Sequence, residues 1–250
     1  MFIEITGDTY GVGDIHGDTA VLQLLIKCHE LSNCTLILLG DIGIWRYRDY
    51  KHYMALDALA AERNITIYAF RGNHDNPAFF NIDDKSSPIA SRFWNKFTNF
   101  KYIPDLSVVT INGKRGIVIG GGLSIDRCFR HTFQSSYRSY SNLYKKNDWW
   151  VNEGLPNTNH INETYDFILS HTGPRPLKIS PLGEHNCSFF KYDNALKNDV
   201  ATELQRIEEI QKQFNPKKWW FGHYHINDSF EYFNTRCVAV DINYLSLIAF

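Results

Sequence analysis

Five short clusters in this sequence combine acidic, amide and histidine side chains with glycine. They are GDIHG (Gly13–Gly17), GDIG (Gly40–Gly43), GNHD (Gly72–Asp75), SHTGP (Ser170–Pro174) and GHYH (Gly222–His225). The side chains in them that could ligate a metal ion or transfer a proton are Asp14, His16, Asp41, Asn73, His74, His171, His223 and His225. Carboxylate and amide oxygens mixed with imidazole nitrogens suit Mn, Fe or Zn, whereas four imidazoles disfavour Mg²⁺.

The spacing within two of the clusters supports metal binding. In Asp14-x-His16 and in His223-x-His225, residues two apart point to the same side of an extended segment, so either pair can grip one ion. Taken singly, each cluster is weak evidence, because a lone histidine after a strand more often makes a structural hydrogen bond. Five such clusters, each after a predicted strand, together indicate a metal-binding site.

The elements that must position these clusters alternate along the chain. Short apolar runs predict strands directly before the clusters, over Tyr10–Val12, Thr35–Leu39, Ile65–Phe70, Asp166–Ser170 and Lys217–Phe221. Apolar residues at helical spacing predict helices over Asp18–Leu31, Tyr50–Arg63 and Asn194–Phe214. This alternation favours right-handed crossovers and an α/β fold. If the strands are mostly side by side, their carboxyl ends line one edge of the sheet, where α/β folds build their sites.

The second half of the chain also predicts antiparallel pairing. Ser107–Ile111 and Gly116–Ile119 flank Asn112-Gly113, a dipeptide typical of tight hairpin turns. Three further strands are expected over Ser229–Phe233, Arg236–Asp241 and Tyr244–Ala249. Residues 127–162 form a long polar and aromatic stretch without periodicity. Since there is no repeat and no flexible linker, we expect one domain over residues 1–250, with this stretch as an extended loop near the site.

Composition argues against several classes of function. The 250 residues carry 26 Lys and Arg against 27 Asp and Glu, so bulk charge points to neither nucleic acid nor a membrane as a partner. No apolar run approaches the roughly 20 residues needed to cross a bilayer. The first residues lack the pattern of a signal peptide, and the five scattered cysteines do not suit a disulfide scaffold. We therefore expect a cytoplasmic protein, and its oligomeric state stays open.

In their order, the five clusters resemble the signature of the calcineurin-like metallophosphoesterases, GD-x-H-G, GD, GNH[DE], an isolated His and GH-x-H. The resemblance extends from Gly13 to His225. It implies an α/β fold of four layers, an α/β/β/α sandwich of two mixed sheets flanked by helices. It also implies two divalent metal ions, Mn²⁺ first with Fe or Zn as alternatives, and the hydrolysis of phosphate esters by metal-bound hydroxide.

Carried over residue by residue, the resemblance implies a role for each cluster. One ion would bind Asp14, His16, Asp41 and His225. The other would share Asp41 as a bridge and add Asn73, His171 and His223. His74 would lie outside both ligand sets as the catalytic proton donor or transition-state stabiliser. Two ions, two aspartates and a bridging hydroxide would leave a net charge of about +1, which attracts a phosphate ester.

The sequence departs from the protein-phosphatase branch of this family. That branch reads GD-x-V-D-R-G at the second motif, where the Asp and Arg support the catalytic histidine and hold phosphate. Ile44 and Trp45 stand at the matching positions here, with Arg46 one place later. A phosphoprotein phosphatase, or a symmetrical diadenosine-tetraphosphate hydrolase with a similar arginine, is therefore less expected.

A second, narrower resemblance concerns the run GGGLSIDR (Gly120–Arg127) and the later Trp149-Trp150 and Glu153. These residues are similar to a subgroup of bacterial and phage metallophosphoesterases with GGA-x-S-[VI]-D and a Trp-Trp pair. The glycines would serve a tight crossing of the sheet edge. The tryptophans either pack the loop or stack on substrate.

Two arginines in this region are candidates for binding substrate phosphate. Arg127 and Arg130 begin the most basic stretch of a neutral chain and could form a phosphate-holding lid. Alternatively, Arg127 pairs with Asp126 or a neighbouring carboxylate at the surface. Two interpretations also stand for Asp75, which either orients a neighbouring residue or caps the segment that follows it.

Three functions are compatible with these patterns. The favoured one is a dinuclear phosphoesterase that acts on a small-molecule phosphate ester or a nucleotide. The alternative is the same chemistry on a macromolecule, as a protein phosphatase or a nuclease, although nucleases usually carry a basic footprint. A catalytically dead interaction module is least expected, because every ligand position and His74 are retained.

Overall fold

Two mixed β-sheets form the centre of the protein. The computed structural model describes residues 1–45, 49–80, 88–128, 150, 152–176, 178–179 and 187–250. Arg46, Trp149 and Arg130, with most of the loop expected over residues 127–162, lie outside these residues. The statements below concern the described part of the chain.

The smaller sheet holds the strands that carry the first three clusters. Its strands are β2 (Thr9–Val12), β3 (Thr35–Leu38), β4 (Thr66–Ala69), β5 (Phe100–Tyr102) and β12 (Leu245–Leu247). Their spatial order is β12-β2-β3-β4-β5, and all neighbours are parallel except β12 and β2. The helices α1 (Thr19–Cys28), α2 (Tyr50–Glu62) and α3 (Ile89–Trp94) follow β2, β3 and β4 along the chain.

The larger sheet holds the strands that carry the last two clusters. Its strands are β1 (Phe2–Ile5), β6 (Val108–Ile111), β7 (Lys114–Ile119), β8 (Phe167–Ser170), β9 (Lys218–Phe221), β10 (Asp228–Tyr232) and β11 (Thr235–Ala239). The order is β1-β6-β7-β8-β9-β11-β10, with antiparallel pairs only at β6–β7 and β10–β11. A short helix α4 (Cys187–Phe190) and the long helix α5 (Leu196–Phe214) lie between β8 and β9 in the chain.

Three apolar cores separate the layers. Leu36 and Leu38 of β3 pack in the core that includes residues of α1 and α2, whereas Ile37 between them packs in the core shared by the two sheets. On the larger sheet, Ile117 and Ile119 of β7 belong to a third core, which includes residues of α5. Because neighbouring side chains of a strand point to opposite faces, each central strand contributes to two cores. The expected α/β/β/α sandwich is confirmed.

The predicted elements are confirmed within one or two residues at most ends. The hairpin is one example, since Asn112 (φ 48°) and Gly113 (φ 78°) both have positive φ, as a primed turn requires. The condition for a single sheet edge, that the strands lie side by side, is not met: the five clusters follow strands of two sheets, three from the smaller and two from the larger. Strands β1 and β5 were not predicted, because FIEI and FKY are short and carry a charged residue in the middle.

Asp57 ties α2 to the edge strand β5. Its carboxylate Oδ1 accepts hydrogen bonds from the backbone N–H groups of Thr98 (3.1 Å), Asn99 (2.7 Å) and Phe100 (2.8 Å). These donors lie where the chain enters β5, so a single side chain orients the start of that strand. Hydrogen bonds to a charged group contribute more than neutral ones.

We expect Asp57→Ala to lower the free energy of unfolding by about 1–3 kcal/mol, because the backbone donors lose a charged acceptor. Urea unfolding followed by circular dichroism measures the change. Glu62→Ala is the matched control, since Glu62 is an exposed acid of the same helix that forms an ion pair with Arg63, 3.8 Å away, in exposed surroundings. Its removal should change stability by less than about 1 kcal/mol, and equal effects of both substitutions would contradict the role of Asp57.

Candidate metal centre

The five clusters meet where the two sheets lie against each other. The clusters after β2 and β3 are joined by backbone hydrogen bonds from His16 to Asp41 (2.8 Å) and from Gly17 to Ile42 (2.7 Å). Those after β8 and β9 are joined by a bond from Gly222 N–H to the His171 carbonyl (3.0 Å). The loops therefore support one another, and the predicted ligand residues from both sheets come together.

The first group of donor atoms is built from Asp14, His16 and His225. His225 Nε2 lies 3.0 Å from Asp14 Oδ2 and 3.3 Å from His16 Nε2. His16 Nε2 lies 3.9 Å from the same oxygen of Asp14. Asp14 is fully buried, while the two histidines reach towards solvent. One carboxylate oxygen and two imidazole nitrogens thus face a common point.

The second group is built from Asn73, His171 and His223. Asn73 Oδ1 lies 2.7 Å from His171 Nε2 and 3.1 Å from His223 Nδ1. The two ring nitrogens are 3.3 Å apart. Asn73 and His171 are buried, and His223 is half-buried. An amide oxygen and two imidazole nitrogens again face one another.

Asp41 lies between the two groups. Its Oδ1 is 3.4 Å from His171 Nε2, and its Oδ2 is 3.9 Å from His16 Nε2. His74 Nε2 is 3.8 Å from the same Oδ2, so His74 reaches the centre from the outside with its side chain 22% exposed. The carboxylate of Asp41 is itself buried. One of its oxygens thus faces His171 of the second group, and the other faces His16 of the first.

The hydrogen bonds around His171 show that this arrangement suits a cation. His171 Nδ1–H donates to the Leu39 carbonyl at 2.8 Å, so the Nε2 of the neutral ring can only accept. That nitrogen nevertheless faces Asn73 Oδ1, which also only accepts. Asn73 is oriented this way because its Nδ2 donates to Ser124 Oγ at 2.8 Å. Two acceptors 2.7 Å apart repel each other unless a proton or a metal ion satisfies them.

The charges of the buried side chains also favour a positive charge at the centre. Burial lowers the pKa of His171, but the carboxylates of Asp41 and Asp14 outweigh it and raise this pKa to about 10. Burial likewise raises the pKa of Asp41, yet the histidines around it hold that pKa well below its usual range. Two buried carboxylates therefore stay ionised and must be compensated. The residues present fit divalent metal ions.

The backbone of the centre is held in an uncommon conformation. His16, Asp41, His223 and His225 all have positive φ, between 44° and 67°. Non-glycine residues adopt this region infrequently, at a cost of about 1–3 kcal/mol each. A strained backbone conformation persists only where contacts with the surrounding structure hold it in place. Residues in such conformations are frequent at functional sites.

Two motif glycines are required by the carboxylates themselves. A Cβ at Gly72 would collide with Asp41 Oδ1, and one at Gly222 would collide with Asp14 Oδ1. The same two oxygens accept backbone hydrogen bonds, from His74 N–H to Asp41 (2.8 Å) and from His223 N–H to Asp14 (3.0 Å). Each aspartate is therefore fixed by the loop that carries the neighbouring ligand.

Asp75 organises the loop that carries Asp41. Its buried carboxylate accepts hydrogen bonds from the N–H groups of Ile42 (3.0 Å), Gly43 (2.8 Å), Ile44 (3.0 Å) and Gly72 (2.9 Å). Burial and the nearby charge of Asp41 raise the pKa of Asp75 to about 6, while these donors lower it. Of the two interpretations of Asp75, the structure bears out the orienting one. The following turn is capped by Asn76, which accepts from Ala78 N–H at 3.0 Å.

Behind Asn73 lies a network that sequence reasoning missed. Glu153 accepts from both the N–H and the hydroxyl of Ser124, each at 2.7 Å, and so orients the hydroxyl that receives Asn73. Arg71 donates to Asp105 at 2.8 Å and to the carbonyls of residues 153 and 154 at 2.8 and 2.9 Å. The only signal for these roles was the place of Ser124 and Glu153 in the narrower motif.

The structure does not bring Arg127 to the centre. Its guanidinium donates to Asp193 Oδ2 at 2.6 Å and also to Asp199. The hydrogen bond to Asp193, together with the one to Asp199, raises the pKa of Arg127. The position of Arg127 therefore does not support a phosphate-binding role. It favours the alternative interpretation, an ion pair with neighbouring carboxylates, and these are Asp193 and Asp199. Arg130 lies outside the described residues.

A cavity of about 410 Å³ opens onto the centre. Asp41, Asn73, His74, His223 and His225 lie on its floor. Its size is within the range of small-molecule sites. The centre is therefore both enclosed on the protein side and accessible to a ligand.

Fold and site together define a metal-dependent phosphoesterase. The family model described as calcineurin-like phosphoesterase matches residues 9–227, and the chain belongs to this family. The resemblance carried by the five clusters is thereby confirmed, while the narrower subgroup is not. No curated protein matches the chain significantly.

Solved structures align with the chain at low sequence identity. A protein of Thermus thermophilus aligns with a TM-score of 0.50 and 12% identity, covering 96% of this chain and 97% of that chain. A phosphopantetheinyl hydrolase from Mycobacterium tuberculosis aligns with a TM-score of 0.44 and 13% identity, covering 94% and 90% of the two chains. At this identity, the first alignment shows a common fold and nothing more specific.

We expect Asp75→Asn to destabilise the protein by about 1–3 kcal/mol, because an amide cannot accept all four backbone hydrogen bonds and turns N–H groups towards donors. Urea unfolding measures the loss. Asp18→Asn is the matched control, since Asp18 caps α1 through a bond from Val21 N–H at 3.1 Å and asparagine caps equally well. An unchanged unfolding midpoint for Asp75→Asn would refute the organising role.

Proposed function

We propose that the protein is a dinuclear phosphoesterase that hydrolyses small-molecule phosphate esters or nucleotides. One ion would be held by Asp14, His16, Asp41 and His225, and the other by Asp41, Asn73, His171 and His223. The position of Asp41 between the two donor groups is the observation that carries this proposal. Bound there, two divalent ions supply the positive charge that binds phosphate and the activation of water for attack. Mn²⁺ is the ion that we propose, with Fe and Zn as alternatives.

We assign His74 the proton transfer to the leaving oxygen. Its backbone is fixed by the hydrogen bond to Asp41, and its ring faces the cavity that would hold substrate. Its Nε2 lies 3.8 Å from Asp41 Oδ2. A positioned histidine that donates its proton as the ester bond breaks avoids the formation of an alkoxide.

The shape of the cavity and the charge of the chain support a small substrate. A cavity of about 410 Å³ suits a compact ester better than a polypeptide surface. The net charge of −1 gives no general attraction to nucleic acid. None of the helices in the described ranges is long and apolar enough to cross a membrane. We further infer a single domain over residues 1–250, since both sheets share one core.

Metal binding tests the dinuclear part of the proposal. We expect the purified protein to bind two Mn²⁺ per chain and Asp41→Asn to lose more metal than any other single ligand substitution, because it removes a donor from both sites. Isothermal titration calorimetry and elemental analysis measure this. Chelation should abolish hydrolysis across a panel of phosphomonoesters, phosphodiesters, dinucleotides and phosphopeptides. Full activity after thorough chelation would contradict the proposal.

A substitution of His74 separates proton transfer from metal binding. His74→Asn should retain both ions and lose about 10²–10⁴ in turnover, the usual contribution of a general acid. The loss should shrink for nitrophenyl phosphate, whose leaving group needs little protonation. Loss of metal from this variant would instead make His74 a ligand.

A further inference from the structure

The cavity above the metal centre has one arginine and no lysine among its described lining residues. Arg175 lies four residues after His171, in the loop that leaves β8, and lines the cavity wall. The side chain is half-buried. Within the described ranges no carboxylate lies within ion-pair distance of it, in contrast to Arg127, which two aspartates hold. Arg175 therefore offers this cavity a guanidinium that no described carboxylate pairs with.

Many of the residues that line the cavity away from the centre are aliphatic. Ile125 and Leu123 come from the loop after β7, Ile179 from the loop after β8, and Val200 and Leu204 from α5. Ile125 is 37% exposed although it is a large aliphatic residue. Aliphatic side chains from three separate segments thus face one space. Such a wall gains free energy by covering an apolar group of a ligand.

The lining of the cavity also includes two acidic residues. Asp126 and Glu203 both line the cavity. Glu203 accepts a hydrogen bond from Leu123 N–H, and its burial raises its pKa to about 7. An anionic group on the distal part of a ligand would meet the carboxyl group of Glu203 there rather than a second described arginine or a lysine. The cavity is thus suited to one phosphate and not to two.

We propose that the substrate is a phosphate monoester of an uncharged alcohol with an aromatic or branched apolar body, its phosphate held by Arg175. This proposal rests on the proposed phosphoesterase function and specifies its substrate class. The guanidinium pairs with the extra negative charge that distinguishes a monoester dianion from a diester. Arg175 thereby takes the place of the motif arginine that Trp45 replaces. The apolar wall covers the body of the alcohol.

Binding of phosphonates tests the proposal independently of turnover. Benzylphosphonate and ethylphosphonate cannot be hydrolysed, share one charged group and differ in apolar area. On the Mn²⁺-loaded protein, calorimetry should show benzylphosphonate binding at least about tenfold more tightly, as expected for burial of a ring. Equal affinities would overturn the proposed substrate class.

Two substitutions separate the roles of the guanidinium and the wall. Arg175→Gln should weaken benzylphosphonate binding about 10- to 100-fold, the range for hydrogen bonds to charged groups, with metal content unchanged. Ile125→Asn should reduce the preference for benzyl over ethyl towards unity, and this loop residue is exposed enough for the fold to tolerate the change. Arg236→Gln is the matched control, because Arg236 is an exposed arginine of β11 that does not line the cavity.

Measurements of hydrolysis distinguish a failure of the proposed function from a failure of the substrate assignment. Arg175→Gln should lower kcat/KM for benzyl phosphate about 10- to 100-fold and for dibenzyl phosphate by less than about threefold, and equal losses would overturn the monoester assignment. If the wild-type protein hydrolyses neither ester yet binds benzylphosphonate through Arg175, the proposed function fails and the binding assignment stands. If it hydrolyses both and Arg175→Gln changes nothing, the substrate assignment alone fails.

Discussion

Two buried carboxylates impose the constraint on which this structure depends. Asp14 and Asp41 are almost completely inaccessible to solvent and lie close enough for both to act on His171. Burying charge without compensation is costly, so the surroundings must supply positive charge or hydrogen-bond donors. The protein compensates these charges with backbone N–H groups and histidines. The acceptor atoms His171 Nε2 and Asn73 Oδ1 still face each other. The arrangement of these groups therefore favours the binding of cations.

The fold is arranged to supply that receptor from two independent layers. Three loops of the smaller sheet and two of the larger reach the centre, and each aspartate is held by a backbone N–H from another cluster. Asp75 binds the Asp41 loop through four N–H groups, and Glu153 orients Asn73 through Ser124. Precise placement of metal ligands depends on such supporting hydrogen bonds. Separation of the two sheets would therefore dismantle the site.

The local patterns of the sequence were sufficient to predict much of this. Periodicity identified the strands before each cluster, and the residue types of Asp14, Asp41 and the histidines indicated the chemistry. The division into two sheets was supplied only by the family resemblance, because a strand pattern does not state which strands are neighbours. The long-range partners could not be predicted either. The ion pair of Arg127 with Asp193 joins residues 66 positions apart, and no local pattern encodes it.

Anomalous diffraction from crystals soaked in Mn²⁺ tests the central claim, a centre with two ions sharing Asp41, most directly. The account predicts two anomalous peaks about 3.5–4 Å apart, one beside Asp14, His16 and His225 and the other beside Asn73, His171 and His223, with Asp41 between them. A single peak, or peaks that leave Asp41 without contact to both, would contradict it.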